Sequence, residues 1–399
     1  MDPASRILEI DMIRGFALFG VLLVNMYSFG ADSIAWNSPG DKLAFTVKHV
    51  FFDSKSWTLF SILFGLGFAV QLLRADKQGV RFPALYFRRL VVLFVIGAAH
   101  ALLYDGDILM LYAELGVVLF LVHRRSNRQL LIASVALFLV FPLAHLAEFD
   151  GQSSADGSLA AARIELEEDR LTHVYVTGSF VDVVTFNADV IPENPLADIT
   201  WADSGLTVLA MILMGYLIGR SGILGNIPAH RILFARVRNW GLAFGFVAIV
   251  VERWLAATEG YAVYQLQQAG RGAQFLGDLV FAFGTVALAL GYAATIIIIA
   301  QTRRGRAMLK PLAAAGRLGL TVYLTQTLIF TTLFYGYGFG QAYRIGPVAV
   351  SGLALMIFAL QVYACQWWLK RFRFGPAEWV WRSLTYWQWQ PLRRKYGPS

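Results

Sequence analysis

The stretch IDMIRGFALFGVLLVNMYSF, residues 10–29, decides how this chain is read. It is as long as a bilayer is thick and consists mostly of Phe, Leu, Val and Ala, so it reads as a membrane-spanning helix. Yet it carries Asp11, Arg14 and Asn25. A central Asp or Arg costs roughly 2.5 to 3.5 kcal/mol on insertion scales, so such groups are expected to face a bundle interior and to mark a site. Asp11 and Arg14 are three residues apart and share a helix face, where they can pair. Asn25 lies close to a whole number of turns beyond Asp11, on roughly the same side. The stripe predicts a buried polar cavity; an orienting ion pair is the plainer alternative for Asp11 and Arg14.

Working outward, 57% of the residues are hydrophobic and only 15% charged, and the apolar residues recur in membrane-length blocks. This predicts an all-α, polytopic integral membrane protein in the lipid bilayer. About ten spans are expected, near residues 12–30, 50–73, 88–104, 107–122, 129–147, 204–220, 238–257, 273–300, 314–335 and 346–369. The runs lack the alternation of a β-barrel. The net charge of +8 does not point to nucleic acid, because Lys and Arg sit in short clusters between apolar runs. The lone cysteine, Cys365, lies inside the last run and gives no support to disulfides, zinc or a cysteine nucleophile. Glu9 and Asp11 precede the first apolar region, so that span is expected to stay in the mature protein.

Every second connector is basic. Arg74, Lys77, Arg81, Arg88 and Arg89 mark one; Arg124, Arg125 and Arg128 the next; Arg220, Arg231, Arg236 and Arg238 a third; Arg303, Arg304, Arg306 and Lys310 a fourth. With the basic, aromatic tail 373–399 they place both termini in the cytoplasm, an orientation expected for the inner membrane of a bacterium. The connector 148–203 is acidic, with Glu165, Glu167, Glu168, Asp169, Asp182, Asp189, Glu193, Asp198 and Asp203 against Arg163 and Arg170, and is expected outside. Residues 158–173 have helical propensity and 187–195 are turn-rich, so this loop forms either a partial lid or a solvated connector. It separates an N-terminal bundle, 1–147, from a C-terminal bundle, 204–372. Gly215 with Gly219, and Gly241 with Gly245, have the spacing of close helix packing.

Two further constellations carry chemistry. His100 stands at the outer end of the third span, with Asp105 and Asp107 in the turn beyond. A histidine beside carboxylates and shielded from water serves as a base or nucleophile near neutral pH, whereas a purely structural histidine bonds across helices and Asp107 caps the next one. Tyr112 and Glu114 follow. Gly65 and Gly67, in the second span, read as helix packing rather than phosphate binding. On the cytoplasmic side Arg88 and Arg89 begin the third span and Arg317 the ninth, each able to pair with a phosphate, and Thr321 and Gln326 continue the donors inward from Arg317. Positive-inside topology alone also accounts for Arg88 and Arg89. No Walker A, GxSxG, HExxH or CxxC motif stands in a usable context, and no metal site is read.

Taken in order, residues 6–25 (RILEIDMIRGFALFGVLLVN), 58–67 (TLFSILFGLG), His100 with Gly106, Asp107, Ile108, Leu109 and Tyr112, 316–323 (GRLGLTVY) and 374–386 (FGPAEWVWRSLTY) resemble the YeiB-type bacterial membrane proteins, a domain of unknown function, over nearly the whole chain. The opening Asp-x-x-Arg-Gly is also similar to the heparan-α-glucosaminide N-acetyltransferase group, which passes acetyl from cytosolic coenzyme A to a sugar amine across the membrane. That resemblance implies a transmembrane acyltransferase using acyl-coenzyme A, with an envelope sugar, glycolipid or small molecule as acceptor. Those enzymes carry a histidine in the first external loop; this chain has Asp32, Trp36 and Asn37 there, and its nearest histidine is His49. The expectation is therefore that Arg14, Arg88 and Arg317 hold phosphate or carbonyl oxygens and that His100 acts as base or acyl carrier, oriented by Asp105 or Asp107. A transporter or lipid exporter using the same polar stripe is the alternative, and a homodimer is left open.

Overall fold

The computed structural model describes residues 7–30, 36, 38–78, 82–147, 170–190, 205–257 and 271–394, and among them the regular structure is helical apart from an isolated bridge between Phe372 and Arg393. Among these residues six segments are long and apolar enough to cross a membrane: Leu8–Phe29, Pro39–Ala75, Phe82–Ala101, Pro228–Glu252, Phe275–Ala300 and Pro347–Arg371. Four shorter apolar helices accompany them, Leu109–Val122, Asn127–Val140, Gly205–Ser221 and Gly319–Phe334. Val91, Val95, Ile132, Val247 and Leu360 are exposed on the flanks of the bundle. Large apolar side chains left on the outside in this number belong in hydrocarbon, so the chain is a multi-pass membrane protein.

Helix α1 (Leu8–Gly30) is the centre. Met12, Ala17, Leu18, Leu22 and Met26 are fully buried, and the helix packs on neighbours from both halves of the chain. The expected second span begins earlier than the sequence indicated. Ser38 caps α2 (Pro39–Phe51) by accepting from the Asp41 amide at 3.1 Å, with Pro39 in the first turn where its missing N–H costs nothing. Residues 52–54 then break the helix, Ser54 taking φ 62°, before α3 (Lys55–Gln78). Phe52 packs on Phe16 and Phe19, near the middle of α1, so the break lies at membrane depth. Backbone of that kind is tolerated where protein surrounds it. Asp53 pairs with Lys48 at 3.3 Å and His49 at 3.2 Å, and Lys55 donates to the His49 carbonyl at 3.0 Å.

The first half continues with α4 (Phe82–Ala101) and α5 (Leu109–Val122), packed on each other, and with α6 (Asn127–Ala147), packed on helices of the second half. Of the acidic connector, only residues 170–190 are described; Glu165, Glu167, Glu168, Asp169, Glu193, Asp198 and Asp203 lie outside the described residues, as does most of 158–173. Residues 187–190, expected as a turn, are helical: α7 (Phe180–Val190) starts with Ser179 and Asp182 bonding each other's amides, and those bonds hold the Asp182 carboxyl below its usual pKa. Asn187 is buried, accepting from the Tyr175 hydroxyl at 2.7 Å and donating to the Leu102 carbonyl at 3.1 Å. Tyr175 stacks on Tyr335 at 4.5 Å, so this part of the connector is packed down on the bundle.

In the second half, α8 (Gly205–Ser221) crosses α3 at paired glycines; a Cβ on Gly215 would reach 1.9 Å from the Ile62 carbonyl oxygen, and one on Gly65 the same distance from that of Ile212. Helices α9 (Arg231–Ala257) and α10 (Arg271–Ala300) meet at Gly241, Gly245, Gly284 and Gly291. The ninth expected span is also corrected. The stretch 303–335 splits at Leu318 into α11 (Arg303–Arg317), capped by Thr302, and α12 (Gly319–Phe334). Helix α11 is pressed against α1, where a Cβ on Gly316 would meet the Asp11 carbonyl oxygen at 1.9 Å. Helix α13 (Pro347–Arg371) and the short α14 (Pro376–Tyr386) complete the described chain.

Candidate functional site: a cavity with a cationic mouth

Helices α1, α3 and α4 enclose a cavity of about 470 Å3 with the α11–α12 junction and α14. Its length follows from α3, whose Ser56, Phe60, Phe64, Gly67 and Gln71 recur at helical spacing along one wall. On α1 the wall runs from Arg14 to Asn25, eleven residues or about 16 Å of helix. One end therefore holds Arg14, Arg89, Arg317, Gln71, Glu378 and Trp381, and the other Asn25, Phe52, Ser56, Gly106 and Ile108. The body between is apolar and aromatic, with Phe60, Phe64, Phe68, Tyr86, Leu90, Tyr112 and Tyr323.

Each guanidinium at the mouth is held by a local partner. Asp11, 4% exposed, accepts from Arg14 Nη1 at 3.1 Å, and the same nitrogen donates to the Gly316 carbonyl at 3.2 Å. Asp11 thus stands behind Arg14 and orients it. Arg317 donates to the Arg373 carbonyl at 2.9 Å. Arg89 lies 4.3 Å over the Trp381 ring, whose Nε1 donates to the Arg89 carbonyl at 3.0 Å. Glu378 reaches from α14 to the start of α12 and accepts from the Leu320 amide at 2.7 Å, the Thr321 amide at 3.1 Å and the Thr321 hydroxyl. The break at Leu318 leaves these first-turn amides without intrahelical partners, and Glu378 supplies one. Burial nevertheless raises the Glu378 carboxyl above its usual pKa. The lining of the mouth thus carries three cations and the Glu378 carboxylate, with Asp11 behind Arg14 as a second carboxylate.

His100 is 4% exposed and does not border this cavity. Its Nδ1 is 2.7 Å from Asp107 Oδ1 and its Nε2 2.7 Å from the Thr327 hydroxyl. A carboxylate only accepts, so Nδ1 donates to Asp107; in that tautomer of the imidazole, Nε2 accepts from the Thr327 hydroxyl. Asp107 also caps α5, its other oxygen accepting from the Met110 amide at 2.9 Å. The ring packs 4.9 Å from that of Tyr323, which is the cavity wall at this point. Asp105 is exposed in the turn, and the carboxylate on the histidine is that of Asp107.

Of the residues singled out in the sequence, Arg14, Asn25 and Arg317 line one cavity, and Asp11 backs it. Arg88 does not: it is exposed on the flank, and its neighbour Arg89 faces inward, because one residue along a helix turns the side chain by about 100°. Thr321 is turned to Glu378. Gln326 is 2% exposed and donates to the Leu18 carbonyl at 3.3 Å and Gln361 at 3.1 Å, away from the lining. Sequence reasoning named Arg89 beside Arg88 but chose Arg88 for the site, and it missed Gln71, Glu378 and Trp381. The last two lay within the tail motif 374–386, where a carboxylate amid tryptophans was the available signal. Among the described residues no group of three or more His, Cys, Asp and Glu is placed to hold a metal.

With this geometry in view, comparison with known proteins gives a consistent result. The family described as a protein of unknown function (DUF418) matches residues 218–388. The chain is 31% identical to "Uncharacterized protein YxaH" of Bacillus subtilis (strain 168), over 98% of this chain and 97% of that one. It is 30% identical to "Uncharacterized protein YeiB" of Escherichia coli (strain K12), over 96% of each. A third relative, the "Uncharacterized 39.9 kDa protein in amylase 3'region" of Bacillus acidopullulyticus, is 25% identical over 97% of this chain and 96% of that one. No solved structure matches.

Proposed function

This chain belongs to the YeiB-type, DUF418 family of bacterial membrane proteins, and from that premise we propose that it is a transmembrane acyltransferase. It takes an acyl group, acetyl being the simplest, from acyl-coenzyme A at the mouth and delivers it to an acceptor at the far end. The observation that carries this reading is the convergence of Arg14, Arg89 and Arg317, from three separate parts of the chain, on one end of an elongated cavity with an apolar body. Such a shape suits a ligand with phosphates at one end and a long, weakly polar arm. Coenzyme A has both. The guanidiniums make charge-assisted bonds to phosphate oxygens, and Trp381 and Arg89 offer a flat surface beside them. The arm lies along α3 and brings the thioester to Asn25 and Ser56.

There the Asn25 amide donates to the carbonyl oxygen and stabilises the charge that develops on it. The acceptor hydroxyl or amine forms the new bond to the acyl carbon, the carbon–sulfur bond breaks, and the proton lost by the acceptor ends on the coenzyme A sulfur. His100, held between Asp107 and Thr327, is a positioning residue for Tyr323 and the 106–108 turn. The acceptor is an envelope sugar, glycolipid or small molecule. In this reading the six long and four shorter apolar helices all span, both termini and the mouth face the cytoplasm, and the membrane is the bacterial inner one.

Titrating coenzyme A into the purified protein tests the proposal. Arg14→Ala and Arg317→Ala each weaken binding roughly 10- to 100-fold, the worth of a hydrogen bond to a charged group, while Arg88→Ala leaves it unchanged. Absence of coenzyme A binding by the unmodified protein refutes it. The break in the second span at membrane depth favours transport of a phosphate-bearing amphiphile as a second reading, since discontinuous helices line transporter sites. Uptake into proteoliposomes that needs no thioester would decide for transport.

A further inference from the structure

A second hollow, of about 600 Å3, opens among the ends of α3, α4, α5 and α8, on the other side of an aromatic partition from the cavity. Its walls are apolar, with Ala69, Leu72, Leu73, Phe82 and Phe120, and Leu73 is exposed at its edge. Its polar groups are His123, Arg124, Tyr216 and Arg220, and among the described residues no carboxylate lines it. Three of these are fixed by backbone: Arg220 donates to the Arg125 carbonyl at 2.9 Å, the Tyr216 hydroxyl to that of His123 at 2.9 Å, and His123 Nδ1 to that of Phe120. Two guanidiniums, Arg124 from the turn after α5 and Arg220 from the end of α8, thus stand over an apolar recess at the end of a membrane bundle, where the phosphates of a bilayer lie. We propose that this recess is a binding site for an anionic phospholipid, its headgroup phosphate on Arg124 and Arg220 and an acyl chain along Leu72, Leu73 and Phe82. Charge complementarity selects the headgroup, and the apolar walls select a lipid over a free anion.

The position gives the site a consequence. Phe68 and Tyr86 line the coenzyme A cavity, while Phe82, Phe120 and Tyr216 line the recess. Phe68 lies 4.7 Å from Tyr86, 5.6 Å from Phe82 and 5.5 Å from Tyr216. The two hollows share this wall of packed rings.

The test is native mass spectrometry of the full-length protein with phosphatidylglycerol, phosphatidylcholine and inorganic phosphate. Phosphatidylglycerol is retained about tenfold better than phosphatidylcholine, Arg124→Ala with Arg220→Ala abolishes that preference, and Arg303→Ala with Arg304→Ala, at the exposed start of α11, does not. Leu72→Trp, which fills the recess and keeps both arginines, also displaces the lipid, so the answer does not depend on the arginine variant folding. Equal retention of the two lipids overturns the proposal. So does an equal loss in the α11 variant, or displacement of the lipid by inorganic phosphate alone.

Discussion

Thr327 supplies the second partner of His100, and its hydroxyl is the place to ask what that histidine does. Thr327→Val keeps the shape and leaves Nε2 buried without a donor, so it costs about 1–3 kcal/mol, read as a lowered Tm in detergent. Because His100 stands behind Tyr323, coenzyme A affinity stays within about twofold; a collapse in affinity at unchanged Tm would put the histidine in the site itself. The sequence marked His100 with Asp105 or Asp107, but Thr327 lies 227 residues away and no local pattern joins it to them. Arg88 and Arg89 show the same limit. Adjacent arginines on a helix look alike in a sequence, and which of them faces inward is decided by the packing of neighbouring helices.

At the scale of elements, the glycines divide by what they touch. Gly65 faces the Ile212 carbonyl across the α3–α8 crossing, so Gly65→Ala is destabilising by about 1–3 kcal/mol through overpacking. Gly67, two residues on, lies on the cavity face with nothing within 4 Å of a Cβ, and Gly67→Ala holds or raises the Tm in the same detergent assay. A drop for both would mean that the wall of the cavity is packed more closely than described. The helices themselves were legible wherever apolar runs were long. What the runs hid were their breaks. Hydropathy averages over residues 52–54, although Asp53 sits within that break, and it merges α11 with α12 because Leu318 is apolar. The partner that makes the second break stable, Glu378, comes from another helix altogether.

At the scale of the molecule, α1 joins the two halves. Its buried face holds them together, and its polar stripe of Arg14 and Asn25, backed by Asp11, turns toward a space that neither half encloses alone. That stripe was readable at once, because hydrocarbon leaves no other place for it; the aromatic body of the cavity was not, since Phe and Tyr are unremarkable in any span. The account rests on acyl-coenzyme A entering this space with its phosphates at Arg14 and its thioester end at Asn25. The direct measurement is thiol labelling of an Asn25→Cys protein in which Cys365 is replaced by Ala, with and without acetyl-coenzyme A. The account predicts that acetyl-coenzyme A slows labelling at position 25 and that Arg317→Ala raises the concentration needed for that protection roughly 10- to 100-fold. Labelling at the same rate with and without saturating acetyl-coenzyme A would contradict it.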